Sequence, residues 1–188
     1  MDDQRQGKPY PKHREAMKRF LFVVFSLVLA LGVNAQSRKG ESSLMGSVGY
    51  QSNYQRFGVG LQARYAILNN IRIAPEVNFF FPKEKVTGLD VNVNFHYVFN
   101  FKADGQGFQV YPLAGVGMQT NFYGSKDVTY KGEQIDHESS HTNTDFALSL
   151  GGGITLPLSS KSYLNAETKF MFGDKESLVF MLGYGWKF

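Results

Sequence analysis

The chain has 188 residues, with 20 Lys+Arg against 16 Asp+Glu, 15% aromatic residues and no cysteine. Without cysteine there is no disulfide framework, no thiolate metal site and no thiol nucleophile, which suits an exported protein whose fold depends on no disulfide. Six of the bases and three of the acids precede Gln36, so the remainder carries 14 against 13, and the basic balance of the whole chain gives no ground for nucleic-acid binding.

Residues 1–16, MDDQRQGKPYPKHREA, are polar and aperiodic and read as a start-site artefact or an extended n-region ahead of Met17. Met17-Lys18-Arg19 is a basic n-region, Phe20 to Val33 is a 14-residue apolar run, and Val33-Asn34-Ala35 puts short residues at the two positions that a signal peptidase inspects. The run is shorter than the roughly 20 residues a membrane-spanning helix requires. Residues 17–35 are therefore expected to be a signal peptide cleaved between Ala35 and Gln36. Residues 36–42 then form a short N-terminal segment on the periplasmic side, and residues 43–188 form one domain.

From Leu89 the sequence LDVNVNFHYVFNF separates into two faces. Leu89, Val91, Val93, Phe95, Tyr97, Phe99 and Phe101 fall on one side, and Asp90, Asn92, Asn94, His96, Val98 and Asn100 on the other. Strict alternation is a strand signal, and at about 3.3 Å per residue this strand is long enough to cross a bilayer with tilt. The same period predicts strands near 43–51, 57–67, 71–81, 89–101, 108–122, 144–158, 162–172 and 177–188. The turn formers Asn69-Asn70, Asp104-Gly105, Ser159-Ser160 and Gly173-Asp174 separate several of them. Eight is the strand number of the smallest common membrane barrels, and the expected fold is an all-β, antiparallel, up-and-down transmembrane barrel.

The bland competitor is a soluble sandwich or barrel, and the glycines decide between them. Gly58 and Gly60, Gly115 and Gly117, Gly151 and Gly153, and Gly183 and Gly185 all lie on the polar face. Glycine gives a strand nothing to pack, so such pairs suit a crowded interior better than a solvated exterior. A closed eight-stranded sheet leaves only enough room inside for side chains. The opposite face is continuous Phe, Leu, Val and Ile, which in water would be an aggregation surface.

Alternating strand direction sorts the aromatics into two girdles. Tyr50, Phe57, Phe79, Phe81, Phe122, Phe146, Phe170 and Phe172 fall near the outer rim, and Tyr65, Phe99, Phe101, Phe108, Tyr184, Trp186 and Phe188 near the inner one. Inner connections near 68–70, 102–107 and 159–161 are short. The outer ones are 52–56, 82–88, 123–143 and 173–176, of which only 123–143 is long.

The candidate interior network comprises Arg64, Arg72, Glu76, Asp90, His96, Glu167 and Lys169. A turn near Asn69 puts Arg64 opposite Ala74 and one diagonal step from Glu76, and Glu167 and Lys169 share a face of one strand. The favoured reading is a plug of mutually neutralising charges, with a proton or ion path as the alternative. His137-Glu138-Ser139-Ser140-His141 matches H-E-x-x-H, the helical spacing of a zinc protease. Its surroundings, KGEQIDHESSHTNTD, are polar and offer no apolar stripe, so a solvated loop is expected, with His137 and His141 as a weak metal candidate. No cofactor and no catalytic set is expected.

The carboxyl end alternates Tyr184, Trp186 and Phe188 to the last residue. With the strand period and the girdles, it resembles the OmpA/OmpX-like family of eight-stranded outer-membrane β-barrel proteins, often filed under porin-like names, over residues 43–188. The resemblance implies localisation in a Gram-negative-type outer membrane. It also implies that Tyr184, Trp186 and Phe188 form the tag read by the barrel assembly machinery. The function expected is a non-enzymatic structural, adhesive or binding barrel, with outer-membrane lipid as its surroundings and an unidentified surface ligand engaged through loop 123–143. The alternatives are an enzyme modifying lipid A at the rim or a narrow porin-like pore.

Overall fold

A computed structural model describes residues 39–103, 106–124, 126–130, 133–138, 141–173 and 176–188. The expected signal segment 17–35, its cleavage site and residues 1–16 lie outside these. The strands are β1 (Ser42–Gln51), β2 (Arg56–Ala66), β3 (Ile71–Lys83), β4 (Val86–Tyr97), β5 (Phe99–Ala103), β6 (Gln106–Tyr123), β7 (Lys126–Tyr130), β8 (Glu133–Glu138), β9 (His141–Pro157), β10 (Ser162–Phe172) and β11 (Ser177–Lys187).

Antiparallel pairing runs in the order β4-β3-β2-β1-β11-β10-β9-β6, and β4 also pairs with β6, so eight staves close into a barrel. Closure removes the unpaired edges an open sheet would expose. At the seam Leu44 lies opposite Trp186 and Tyr50 opposite Phe180, and the Phe188 amide donates to the Ser42 carbonyl at 3.0 Å. The aromatic carboxyl end is thus tied into the first strand.

Alternation in sequence becomes inside and outside in space. In β2, Arg56, Gly58, Gly60, Gln62, Arg64 and Ala66 face in, and Phe57, Val59, Leu61, Ala63 and Tyr65 face out. The outer surface leaves Phe57 70%, Leu61 63% and Val48 60% exposed. Inside, the glycines make room. A Cβ on Gly153 would run into the Tyr111 ring, and one on Gly185 into the Tyr163 ring.

Three elements differ from the strand pattern expected. The strand foreseen over 89–101 is interrupted at Val98, whose amide donates at 2.7 Å to the Asn70 carbonyl in the β2–β3 turn. Beyond it β5 pairs only with β6, so the connection foreseen over 102–107 is largely strand, with Phe101 stacked on Phe108 at 5.3 Å. The outer loop foreseen over 82–88 shrinks to a two-residue turn, because β3 continues to Lys83, opposite Val86. The long connection is no plain loop, since β7 and β8 pair within it as a hairpin. Phe99 is only 6% exposed and packs on Tyr97 at 5.0 Å, so it does not contribute to the inner girdle.

Candidate functional site

Strand direction gives the lumen an order. Turns 52–55 and 84–85, the close of β6 and start of β9 at Tyr123 and His141, and the close of β10 and start of β11 at Phe172 and Ser177 lie at one end, here the loop end; β1 begins and β11 finishes at the other, the terminal end. At the loop end Arg56 donates from Nε to Gln51 Oε1 at 2.7 Å and from Nη2 to Asn121 Oδ1 at 2.8 Å. Its guanidinium lies 5.3 Å from the centre of the Phe80 ring. Asp90 is 1% exposed; Gln119 is its cross-strand partner, yet neither carboxylate oxygen meets hydrogen-bond geometry with a protein group.

Next comes an apolar layer of Phe80, Ala147, Met171, Val179 and Met181. Each is an inward position by strand parity. A wholly polar lumen was the expectation, and this layer corrects it: Phe80 and Met171 sit at the loop-end side of the inward series Glu76, Asn78, Phe80 and Glu167, Lys169, Met171.

The charged residues lie beneath. Lys169 Nζ bonds to Glu76 Oε1 and lies 3.8 Å from Glu167 Oε1, while Arg64 Nη2 is 3.6 Å from Glu167 Oε2. Gln62 links the two acids, donating to Glu76 Oε2 at 3.0 Å and to Glu167 at 3.4 Å, and it accepts from Arg64 Nε. Asn78 and Asn92 also donate to Glu76, at 3.2 and 3.0 Å. The Tyr111 hydroxyl shares its proton between Glu167 Oε2 at 2.8 Å and Asn165 Oδ1 at 2.9 Å, and accepts from Arg64 Nη2 at 3.1 Å. Arg64 therefore does not take the diagonal partner Glu76. Its long side chain crosses the lumen to β10, and Lys169 reaches the other way to Glu76.

Toward the terminal end, His96 stacks on Tyr111 at 4.4 Å, and the Arg72 guanidinium lies 4.8 Å from the same ring. Arg72 Nε donates to His96 Nδ1 at 3.2 Å, which assigns the imidazole proton to Nε2. Val98, Tyr111 and Leu113 form a second apolar cluster there.

All seven expected interior residues are buried, but they divide into groups. Arg64, Glu76, Glu167 and Lys169 form one connected set, Arg72 pairs with His96, and Asp90 stands toward Arg56. Sequence reasoning missed Tyr111, Tyr163, Gln62 and Arg56. Parity would have found Tyr111, since it shares the inward phase of Gly115 and Gly117. Two positive and two negative charges in the central set balance, and nothing in it is arranged as a nucleophile with its base.

Tyr184, Trp186 and Phe188 face outward, with the first two rings edge to face at 4.5 Å. His137 and Glu138 lie in β8, and His141 opens β9 with its ring stacked on Tyr123 at 4.4 Å. The H-E-x-x-H run is thus extended rather than helical on both sides of residues 139–140, which are not described, and the i, i+4 face of a zinc protease is not formed. No group of three metal-ligating side chains occurs among the described residues.

No curated protein matches the chain at a significant level. Solved structures do match. The N-terminal β-barrel domain of Pseudomonas aeruginosa OprF is 13% identical with a TM-score of 0.57, over 80% of this chain and 98% of that one. A major outer membrane protein from Thermus thermophilus is 12% identical with a TM-score of 0.56, over 80% and 100%. Ail, the attachment invasion locus protein of Yersinia pestis, is 17% identical with a TM-score of 0.50, over 80% and 100%. At such identities the likeness shows the fold. The family is shown by sequence: the model of the outer membrane protein beta-barrel domain matches residues 23–188, and the chain belongs to that family of the outer membrane.

Proposed function

We propose that this outer-membrane protein is a non-enzymatic scaffold whose lumen is a structural plug and whose recognition takes place at the cell surface, as a structural or adhesive barrel presenting the β6–β9 connection. In barrels of this class the longer connections face outward, so the loop end is the surface end. The observation that carries the reading is the layering of the lumen, in which an apolar cluster around Phe80 and Met171 lies over a charge-balanced network and a second apolar cluster lies beneath. Eight strands leave room for these side chains and for little else. One structural neighbour is Ail, the attachment invasion locus protein of Yersinia pestis. Tyr184, Trp186 and Phe188 are proposed as the tag engaged by the barrel assembly machinery.

The test replaces residues 125–140 by a short Gly/Ser turn. Heat-modifiable migration in gels should show a folded barrel, and whole cells should lose the adhesion that the intact protein confers. Unchanged adhesion would overturn the surface reading. Discrete single-channel currents from the intact protein in a planar bilayer would overturn the plug, and altered lipid A masses in cells carrying it would restore the rim-enzyme alternative.

A further inference from the structure

Lys83, Glu84 and Lys85 stand where the β3–β4 turn closes, and the turn is built against its own preference. Glu84 and Lys85 have φ of 51° and 66°, and with Gln55 at 49° they are the only non-glycine residues of left-handed φ among the described residues. Two central residues of positive φ make the turn of a two-residue hairpin, a position that strongly favours Asn-Gly. Two long charged residues there are strained, and such strain persists where surrounding structure holds it, chiefly at ligand sites.

All three strained residues line one cavity of about 370 Å³ at the surface end, a volume within the range of small-ligand sites. Its walls are fixed. The hydroxyls of Tyr54 and Tyr123 meet at 2.7 Å, Tyr123 stacks on His141, and the Gly124 amide donates to the Lys85 carbonyl at 2.8 Å. Lys83 Nζ donates to Gln55 Oε1 at 3.0 Å, tying the turn to the β1–β2 connection. The cavity is thus held by contacts among the β1–β2 connection, the β3–β4 turn and the facing ends of β6 and β9.

We infer that this cavity is a binding site for an anionic saccharide. Val86 is its one aliphatic wall residue, so the lining gives an acyl chain little to bury against. The Arg56 guanidinium covers one face of Tyr54 at 4.4 Å, and Tyr123 and His141 cover one face of each other; the opposite faces and the polar tips suit the C–H groups and hydroxyls of a sugar ring. Lys83 and Lys85 supply positive charge for a carboxylate or phosphate substituent, and Glu84 between them accepts from hydroxyl groups. The site rests on the surface-recognition reading and gives it a ligand class. Such a sugar could come from a soluble glycan or from the lipopolysaccharide of the same membrane.

The full chain, refolded into nanodiscs, is titrated calorimetrically with a glucuronic-acid disaccharide and with glucosamine 6-phosphate; maltose is the uncharged control. Binding of a charged probe, at least tenfold tighter than maltose, is expected. The decisive variant is Glu84→Asn with Lys85→Gly, which gives the turn its preferred residues and removes both charges; it should raise the unfolding midpoint and weaken binding at least tenfold. Lys83→Gln should weaken binding without altering the fold. If soluble probes bind equally in nanodiscs with and without lipopolysaccharide, the source is a soluble glycan. If lipopolysaccharide displaces them in a manner that depends on Lys83 and Lys85, the source is the membrane's own sugar. Binding that is absent, equal for maltose, or unchanged in the turn variant would overturn the site. The 125–140 replacement keeps Tyr123 and His141, so lost adhesion with retained saccharide binding separates failure of one reading from failure of the other.

Discussion

The lumen has a charged wall, made by β2, β3 and β10 on two of its sides, and an asparagine wall on β4, next to β3, and the β6 glycines it covers, and the two solve the same problem in opposite ways. β2, β3 and β10 carry the long charged inward residues, and Arg64, Glu76, Glu167 and Lys169 find partners across the barrel. On β4 most inward residues are short, and among the described residues six of the nine buried side-chain atoms without a hydrogen-bond partner lie there, on Asp90, Asn92, Asn94 and His96. The Asn92 and Asn94 amides lie over Gly117 and Gly115 of β6, where a Cβ would strike their oxygens. Reach explains the contrast: a side chain that lies flat on glycine backbone cannot bridge the lumen, whereas Arg and Lys can. Stability should therefore reside in the charged wall.

The largest expected effect follows. Lys169→Met leaves the buried carboxylate of Glu76 without its cation, and breaking a buried pair from one side destabilises by about 3–5 kcal/mol. Urea unfolding in lipid vesicles measures it, with Asn94→Ala on the other wall as the comparison. Equal losses at the two positions would remove the distinction between the walls.

Outside the lumen the distinction should vanish. Leu61 on β2 and Val116 on β6 face outward, 63% and 46% exposed, and arginine at either should destabilise by roughly 2–4 kcal/mol near the bilayer midplane. The same titrations compare them. A large difference would mean that the walls differ in lipid exposure rather than in internal bonding.

Tyr111 crosses between the walls, since it stands on β6 and bonds to Arg64, Glu167 and Asn165. Tyr111→Phe removes only the hydroxyl and leaves buried partners short of one bond, so a loss of about 1–3 kcal/mol is expected. A double-mutant cycle with Glu167→Gln should show coupling. Additive losses would mean that the hydroxyl is not part of the charged set.

Period two in the sequence was enough for the barrel, because each of the eight staves carries its own alternation and the glycine pairs identify the inner face. It was also enough to put Arg64, Glu76, Glu167 and Lys169 in the lumen. Which charge meets which was not legible, because it depends on the stagger between β2, β3 and β10, and that is set by closure of the whole sheet. The Arg64–Glu76 diagonal was a local inference applied to a lumen where long side chains choose distant partners. The apolar layer was missed for a related reason: Phe80 lies between Phe79 and Phe81, so a run of three aromatics hides its inward phase. The β7–β8 hairpin was hidden by polar composition, since a surface ribbon need bury little and so carries no apolar alternation to read.

The smallest effect is expected at Asp90, and its sign matters more than its size. The carboxylate is 1% exposed, with no hydrogen-bond geometry satisfied at either oxygen. Arg56 lies in the same layer but is already engaged by Gln51 and Asn121. Desolvating a carboxylate whose neighbours Gln119 and Arg56 do not reach it in good hydrogen-bond geometry is costly, whereas the cation above it keeps its two neutral partners when the acid is replaced. Asp90→Asn conserves shape and removes the charge, so stability should change by less than about 1 kcal/mol, on the stabilising side. On the neighbouring strand β3 Glu76→Gln should destabilise, because Lys169 then loses the acid it bonds. Urea midpoints for the two isosteric changes decide the matter: a destabilised Asp90→Asn protein would show that Arg56 and Asp90 act as a pair.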